Sequence, residues 1–306
     1  MFNRIASLWK RADHTDRRVA RNVSAVRFVR KMGGRSRSML IEASDGLRYV
    51  LKDCTADSDM ASRLGEALGS EIATHIGLPI PNWQPVFISE SFIRGCSEIW
   101  NEGRDGVNRP PVPGYYFGSE CLSSDSGNQL YDYLPATWLT KINNRTDFAG
   151  MLLLDMWASN STCRQALFIQ GHNRAEIRAI FIGHGKMFSA SRQEMPQPMA
   201  GRYSDSRIYR GGWTEEAFSY WQDLILSVKE SSLRELVSKV PIAWVAPCDI
   251  NRIISDLLLR QILIRDMKFT SANPCDLPWK YPCQDSPCHS KEMPGGYIYS
   301  PALGAP

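Results

Sequence analysis

DFAGMLLLDMWASNSTCRQALF, residues 147–168, decides how the rest of the chain is read. Behind Thr146, a good N-cap, the run of nearly unbroken apolar residues predicts a buried helix over 146–158. That helix empties into Asn160, Ser161, Thr162 and Arg164. A polar loop fed by a buried helix reads as the entry to an active site, because the scaffold is rigid and the loop is exposed.

Downstream, ALFI and IRAIFIG around the turn QGHN predict two short strands. Helical patterns follow at 214–229, 231–239 and 248–268, with Trp213, Trp221 and Trp244 as core anchors. Upstream, VSAVRFVR alternates at period two, SMLIEA follows a Gly-Gly loop, and RYVLKD follows the turn signal SDG, predicting an antiparallel meander. Met60, Leu64, Leu68, Ile72 and Ile76 recur every four residues before Gly77, predicting an amphipathic helix, and PVFIS predicts another strand. Residues 94–135 are dominated by Gly, Pro, Ser and Asn and read as a surface connection with sparse regular elements.

The expected layout is therefore a basic arm at 1–22, a β-rich N-lobe at 23–93, the connection at 94–135, a mainly helical C-lobe at 136–269 and a tail at 270–306. The tail is rich in Pro without a period and is expected to be disordered. Its Cys275, Cys283, Cys288 and His289 match no common zinc spacing. At 306 residues and 43% hydrophobic, the chain can bury a sizeable core. It contains no apolar run near the roughly 20 residues that span a bilayer, and its eight cysteines form no CxxC pair. We expect a cytoplasmic protein with no membrane partner. The net charge of +4 hides an asymmetry: residues 1–38 hold eleven Lys or Arg against Asp13 and Asp16, so something anionic is expected near this end.

A β-rich lobe with a Gly loop, a strand Lys and a helix Glu, joined to a helical lobe with a catalytic-type loop, has the organisation of an α+β, bilobal protein-kinase-like fold. The stretches GGRSRSMLIEASDGLRYVLK, EALGSEIATHIGLPIP, PGYYFGS, DFAGMLLLDMWASNSTCRQALF, AIFIGHGKMF and IYRGGW resemble, in order and near spacing, the HipA-like kinase domain family over about residues 25–265. The resemblance implies an ATP site. Gly33 and Gly34 with Ser36 and Ser38 would bring backbone and side-chain donors to phosphate. Lys52 would hold the phosphates and pair with Glu66, Glu71 being the alternative partner.

The family's loop runs Asp-x-Trp-x-x-Asn-x-Asp-x-Arg-Gln, its second Asp being the catalytic base. Asp155, Trp157, Asn160, Arg164 and Gln165 match, but Thr162 stands at the second Asp. The family's Ile-Asp-His-Gly, which supplies a metal-binding carboxylate, is Ile182-Gly183-His184-Gly185 here. Both carboxylates are missing. Positioned acid–base catalysis is worth about 10²–10⁴-fold, and magnesium takes hard oxygen ligands that glycine lacks. Asp155 is a substitute base or a brace for the helix end; Asn160 is a candidate magnesium ligand; His184 suits magnesium poorly; Glu176 or Glu194 are acids that could enter from elsewhere. The favoured expectation is a nucleotide-binding, pseudokinase-like regulator of a protein partner. The alternatives are an active divergent kinase that transfers the γ-phosphoryl of ATP to a protein Ser or Thr, and a nucleic-acid-binding module using the basic N-terminal region.

Overall fold

The structure is a computed structural model that describes residues 23–32, 38–52, 60–102, 107–122, 128–171, 176–188 and 201–272. Its strands are β1 (Val23–Lys31), β2 (Met39–Ala43), β3 (Arg48–Leu51), β4 (Trp83–Ile88), β5 (Asn101–Glu102), β6 (Asn108–Arg109), β7 (Gly114–Glu120), β8 (Gln129–Tyr131), β9 (Gln165–Gln170) and β10 (Ile177–Ile182). Its helices are α1 (Met60–His75), α2 (Glu90–Gly95), α3 (Asp147–Trp157), α4 (Glu215–Ser227), α5 (Glu230–Ser238), α6 (Ile242–Val245) and α7 (Ile250–Asp266). The chain is α+β, as expected. The arm at 1–22, the glycines of the Gly loop, Glu194 and most of the tail lie outside the described residues.

β1, β2 and β3 form the expected meander, with Phe28 opposite Ile41 and Met39 opposite Leu51. At the second turn Gly46 takes φ +80° and Asp45 Oδ1 accepts the Leu47 N–H at 3.0 Å, an Asx turn that fixes the hairpin. The barrel then closes in the order β1-β2-β3-β7-β4, with β4 returning parallel to β1. Val23, Ile41, Tyr49, Leu51, Val86, Ile88 and Tyr116 fill it.

β7 corrects the sequence reading. Residues 114–120 were expected within a connection poor in regular structure, yet they form the strand that pairs with both β3 and β4. The reason is close approach: a Cβ at Gly118 would lie 2.6 Å from Val86 Cγ2 and 3.1 Å from Leu51 Cδ2. Only glycine fits where the barrel wall is this tight. The glycine that suggested a loop is required by the strand.

The larger core gathers Leu64, Leu68 and Ile72 of α1, Phe148, Leu152 and Trp157 of α3, Phe168 and Phe181 of the β9–β10 hairpin, Trp221 of α4 and Leu257 of α7. Trp83 and Phe117, from barrel strands, stack at 5.3 Å and belong to this core too. Trp157 Nε1–H donates to the Leu257 carbonyl at 2.8 Å, so the helix carrying the loop is fixed at its end. Thr146 does not cap α3 through its side chain, its backbone being already helical. Asn144 does the anchoring instead, donating to Asp147 Oδ2 and the Ala179 carbonyl and accepting the Ala179 N–H. No helix among the described residues is long and apolar enough to cross a membrane.

Candidate functional site

Lys52 follows β3, and α1 packs against β7 with Glu66 turned toward Lys52. Lys52 Nζ lies 2.9 Å from Glu66 Oε1, in a setting where both side chains are nearly buried. The other oxygen, Oε2, accepts the backbone N–H of His184 at 3.0 Å. One carboxylate thus ties a barrel lysine to the loop after β10. Glu71, the alternative partner, faces elsewhere: it accepts the Trp83 indole N–H at 3.0 Å and pairs with Lys239 at 3.5 Å.

The loop lies on α1 at backbone distance. A Cβ on Gly65 would meet the His184 carbonyl oxygen at 3.0 Å, one on Gly69 would meet His184 Cβ at 2.7 Å, and one on Gly185 would meet Ser62 Oγ at 2.8 Å. Sequence reasoning missed this contact, although Gly65 and Gly69 at a four-residue spacing put two bare patches on one helix face. His184 is buried, and its Nε2 has no hydrogen-bond partner. Burial, then the nearby charges of Arg164 and Lys52, hold its imidazole well below the ordinary value, so it is neutral.

Asp155 is fully buried at the end of α3. Its Oδ2 accepts Arg164 Nε–H at 2.8 Å, and its Oδ1 accepts both Arg164 Nη2–H and Asn160 Nδ2–H. Burial pushes its carboxyl up, against the pull of Arg164 and Asn160. Arg164 Nη1 also donates to the carbonyls of Ile182 and Gly183, each at 2.8 Å, so the Asp155–Arg164 pair joins the two loops. Asn160 is buried, and its Oδ1 accepts the Thr162 N–H at 3.2 Å and the Thr162 hydroxyl at 3.1 Å. Thr162 is exposed. A Cβ on Gly201, at φ +80°, would sit 2.0 Å from Asp155 Cβ, so this glycine lets the following segment cover the buried pair. No sequence pattern announces that role.

Gly183 takes φ +83°, a left-handed backbone that glycine adopts without strain. A Cβ there would lie 3.4 Å from Gln165 Oε1. Gln165, at the exposed start of β9, thus holds its carboxamide beside the empty side-chain position. Two non-glycine residues, Ser159 at φ +52° and Phe188 at φ +62°, also take left-handed backbone on these loops. Such conformations cluster at functional sites. Of the expected phosphate-loop residues only Ser38 is described, and it is buried; Gly33, Gly34 and Ser36 lie outside the described residues. Glu176 is committed to Asn143, whose Nδ2 donates to Glu176 Oε2 at 3.1 Å.

A separate cavity of about 450 Å³ is lined by Ile93, Trp100 and Pro110 and shares no residue with this site. Its charged residues, Glu90 and Arg94, are exposed and pair with each other. Lys52, Glu66, Asp155 and Arg164 are joined through the loop after β10, which carries His184, and form the candidate site.

No protein-family model matches the chain, and no curated protein does either. Among solved structures it is similar to the Golgi casein kinase, at 11% identity and a TM-score of 0.49, covering 79% of this chain and 71% of that one. It is also similar to the Helicobacter pylori proinflammatory kinase CtkA, at 11% identity and a TM-score of 0.45, covering 78% and 95%. Hydra Fam20 with sugar matches at 10% identity and a TM-score of 0.45, covering 80% and 83%. Likeness this distant transfers no property to this chain.

Proposed function

We propose that this chain is a nucleotide-binding protein of bilobal, HipA-like kinase architecture whose phosphoryl-transfer chemistry is lost, and that it acts as a pseudokinase-like regulator of a protein partner. The observation that carries this reading is the combination of an intact Lys52–Glu66 pair at 2.9 Å with loops whose neighbouring carboxylates among the described residues, Glu66 and Asp155, are already engaged. Lys52 and the Gly33, Gly34, Ser36 and Ser38 loop would hold the phosphates; Glu66 orients the lysine. A hydroxyl at Thr162 does not accept a proton at neutral pH as a carboxylate does, which removes a factor of about 10²–10⁴. Asp155, saturated by three donors, serves as a brace, and Arg164 and Gln165 shape the loop. Magnesium fits this donor set poorly, since Gly183 offers no side-chain oxygen, its carbonyl accepts from Arg164, and the Asn160 amide oxygen is committed to Thr162.

The test is paired. Calorimetric titration of ATP should show binding by the full chain and none by Lys52→Met, while radiolabelled γ-phosphate should not be incorporated above the Lys52→Met blank. Incorporation that depends on Lys52 would restore the active-kinase reading, and absence of ATP binding would remove the nucleotide reading.

A further inference from the structure

We propose that the cleft takes its nucleotide as the metal-free anion, with the charge of Lys52 doing what a divalent cation does in metal-assisted sites. The inference rests on the nucleotide reading above and concerns the form in which the ligand is bound. Three observations lead to it. Glu66 divides its two oxygens between Lys52 Nζ and the His184 N–H, and Asp155 is enclosed by Arg164 and Asn160, so neither carboxylate is open to an ion. Of the neutral side-chain oxygens, Asn160 Oδ1 already receives two donors from Thr162, and Gln165 Oε1 beside position 183 is one uncharged ligand atom. The remaining buried ligand atom, His184 Nε2, is an imidazole nitrogen, which magnesium takes reluctantly beside oxygen. Among the described residues no three His, Cys, Asp or Glu side chains come together in a way that could hold a metal ion.

Gln165 locates the change. Its Oε1 lies 3.4 Å from where a Cβ of residue 183 would be, so its carboxamide is in van der Waals contact with that position. A neutral amide borders the position at which the resemblance implies a charged ligand. Magnesium lowers the negative charge of a triphosphate, which weakens its attraction to a lysine that has no ion to accommodate. Metal-free ATP should therefore bind more tightly than its magnesium complex, by roughly tenfold for the two charges that magnesium neutralises, felt across about 6 Å at the dielectric of water.

Titrating ATP into the full chain with a chelator and again with magnesium tests this. Tighter binding in chelator supports the proposal. Binding that requires magnesium overturns it and leaves the nucleotide reading standing; no binding under either condition overturns that reading itself. Gln165→Glu places a carboxylate beside position 183, on an exposed residue of β9. This variant should shift its preference toward magnesium by about tenfold relative to Gln165→Ala, the size of one charge-assisted contact. Manganese alone, followed by water-proton relaxation, should bind Gln165→Glu and not the unaltered chain. Equal metal responses in the two variants would overturn the assignment of the missing ligand to this position.

Discussion

Removing the Asp155 carboxylate strands Arg164 in the core, and the size of the effect follows from the burial. The Arg164 side chain is 1% exposed and that of Asp155 is not exposed at all. Taking one partner from a buried pair costs about 3–5 kcal/mol, since an uncompensated charge stays behind. Asp155→Ala should lower the free energy of unfolding by that amount, measured by urea denaturation followed by circular dichroism. At about 2–4 °C per kcal/mol for a chain of this size, the melting temperature should fall by roughly 6–20 °C. Asp155→Asn should lose nearly as much, because its amide turns a donor toward the guanidinium. In Asp155→Leu combined with Arg164→Leu no charge is stranded, so the double change should cost less than the sum of its parts by about 1–3 kcal/mol. It should not recover fully, since the Ile182 and Gly183 carbonyls lose their donor. A loss below about 1 kcal/mol for Asp155→Ala, the level of an exposed ion pair, would refute the brace and return Asp155 to candidacy as a base.

His184 sets a pH dependence. Its folded-state value lies well below the ordinary 6.5, so the unfolded chain binds the proton first and stability falls as pH drops below about 6.5, by up to about 1.4 kcal/mol per pH unit. His184→Asn should lose that slope in denaturation series at pH 7, 6 and 5; unchanged slopes would refute it. Gly150→Ala would put a Cβ 2.3 Å from Trp221 Cδ2, and overpacking of this kind should cost about 1–3 kcal/mol in the same denaturation assay. Trp221→Phe should relieve part of it.

Elements built on local periodicity were legible in the sequence. The four-residue spacing of Leu64, Leu68 and Ile72 predicts α1, and the apolar run at 147–157 predicts α3 within a residue or two. The pairing of Lys52 with Glu66 was legible only through the family resemblance, because nothing local joins residues 14 apart. β7 was hidden for a physical reason: Gly114 and Gly118 signal a loop, whereas the need for Gly118 comes from Val86 and Leu51, which are distant in sequence. The brace role of Asp155 was one of the two readings its sequence position offered, whereas the engagement of Asn160 was hidden, since it depends on whether a side chain points into the cleft or back into the core. Thr146 looked like a cap by type, but the anchoring passed to Asn144 through contacts with β10.

α1 interrupts the barrel's own sequence, lying between β3 and β4, yet its Leu64, Leu68 and Ile72 belong to the larger helical core along with Trp83 and Phe117 from the barrel wall. A fragment ending after β7 would carry these five side chains into water, and a fragment starting at α3 would lack the surface they cover. Dissection of the chain into separately expressed halves is therefore unfavourable at either cut, and heat should melt both halves in one calorimetric transition.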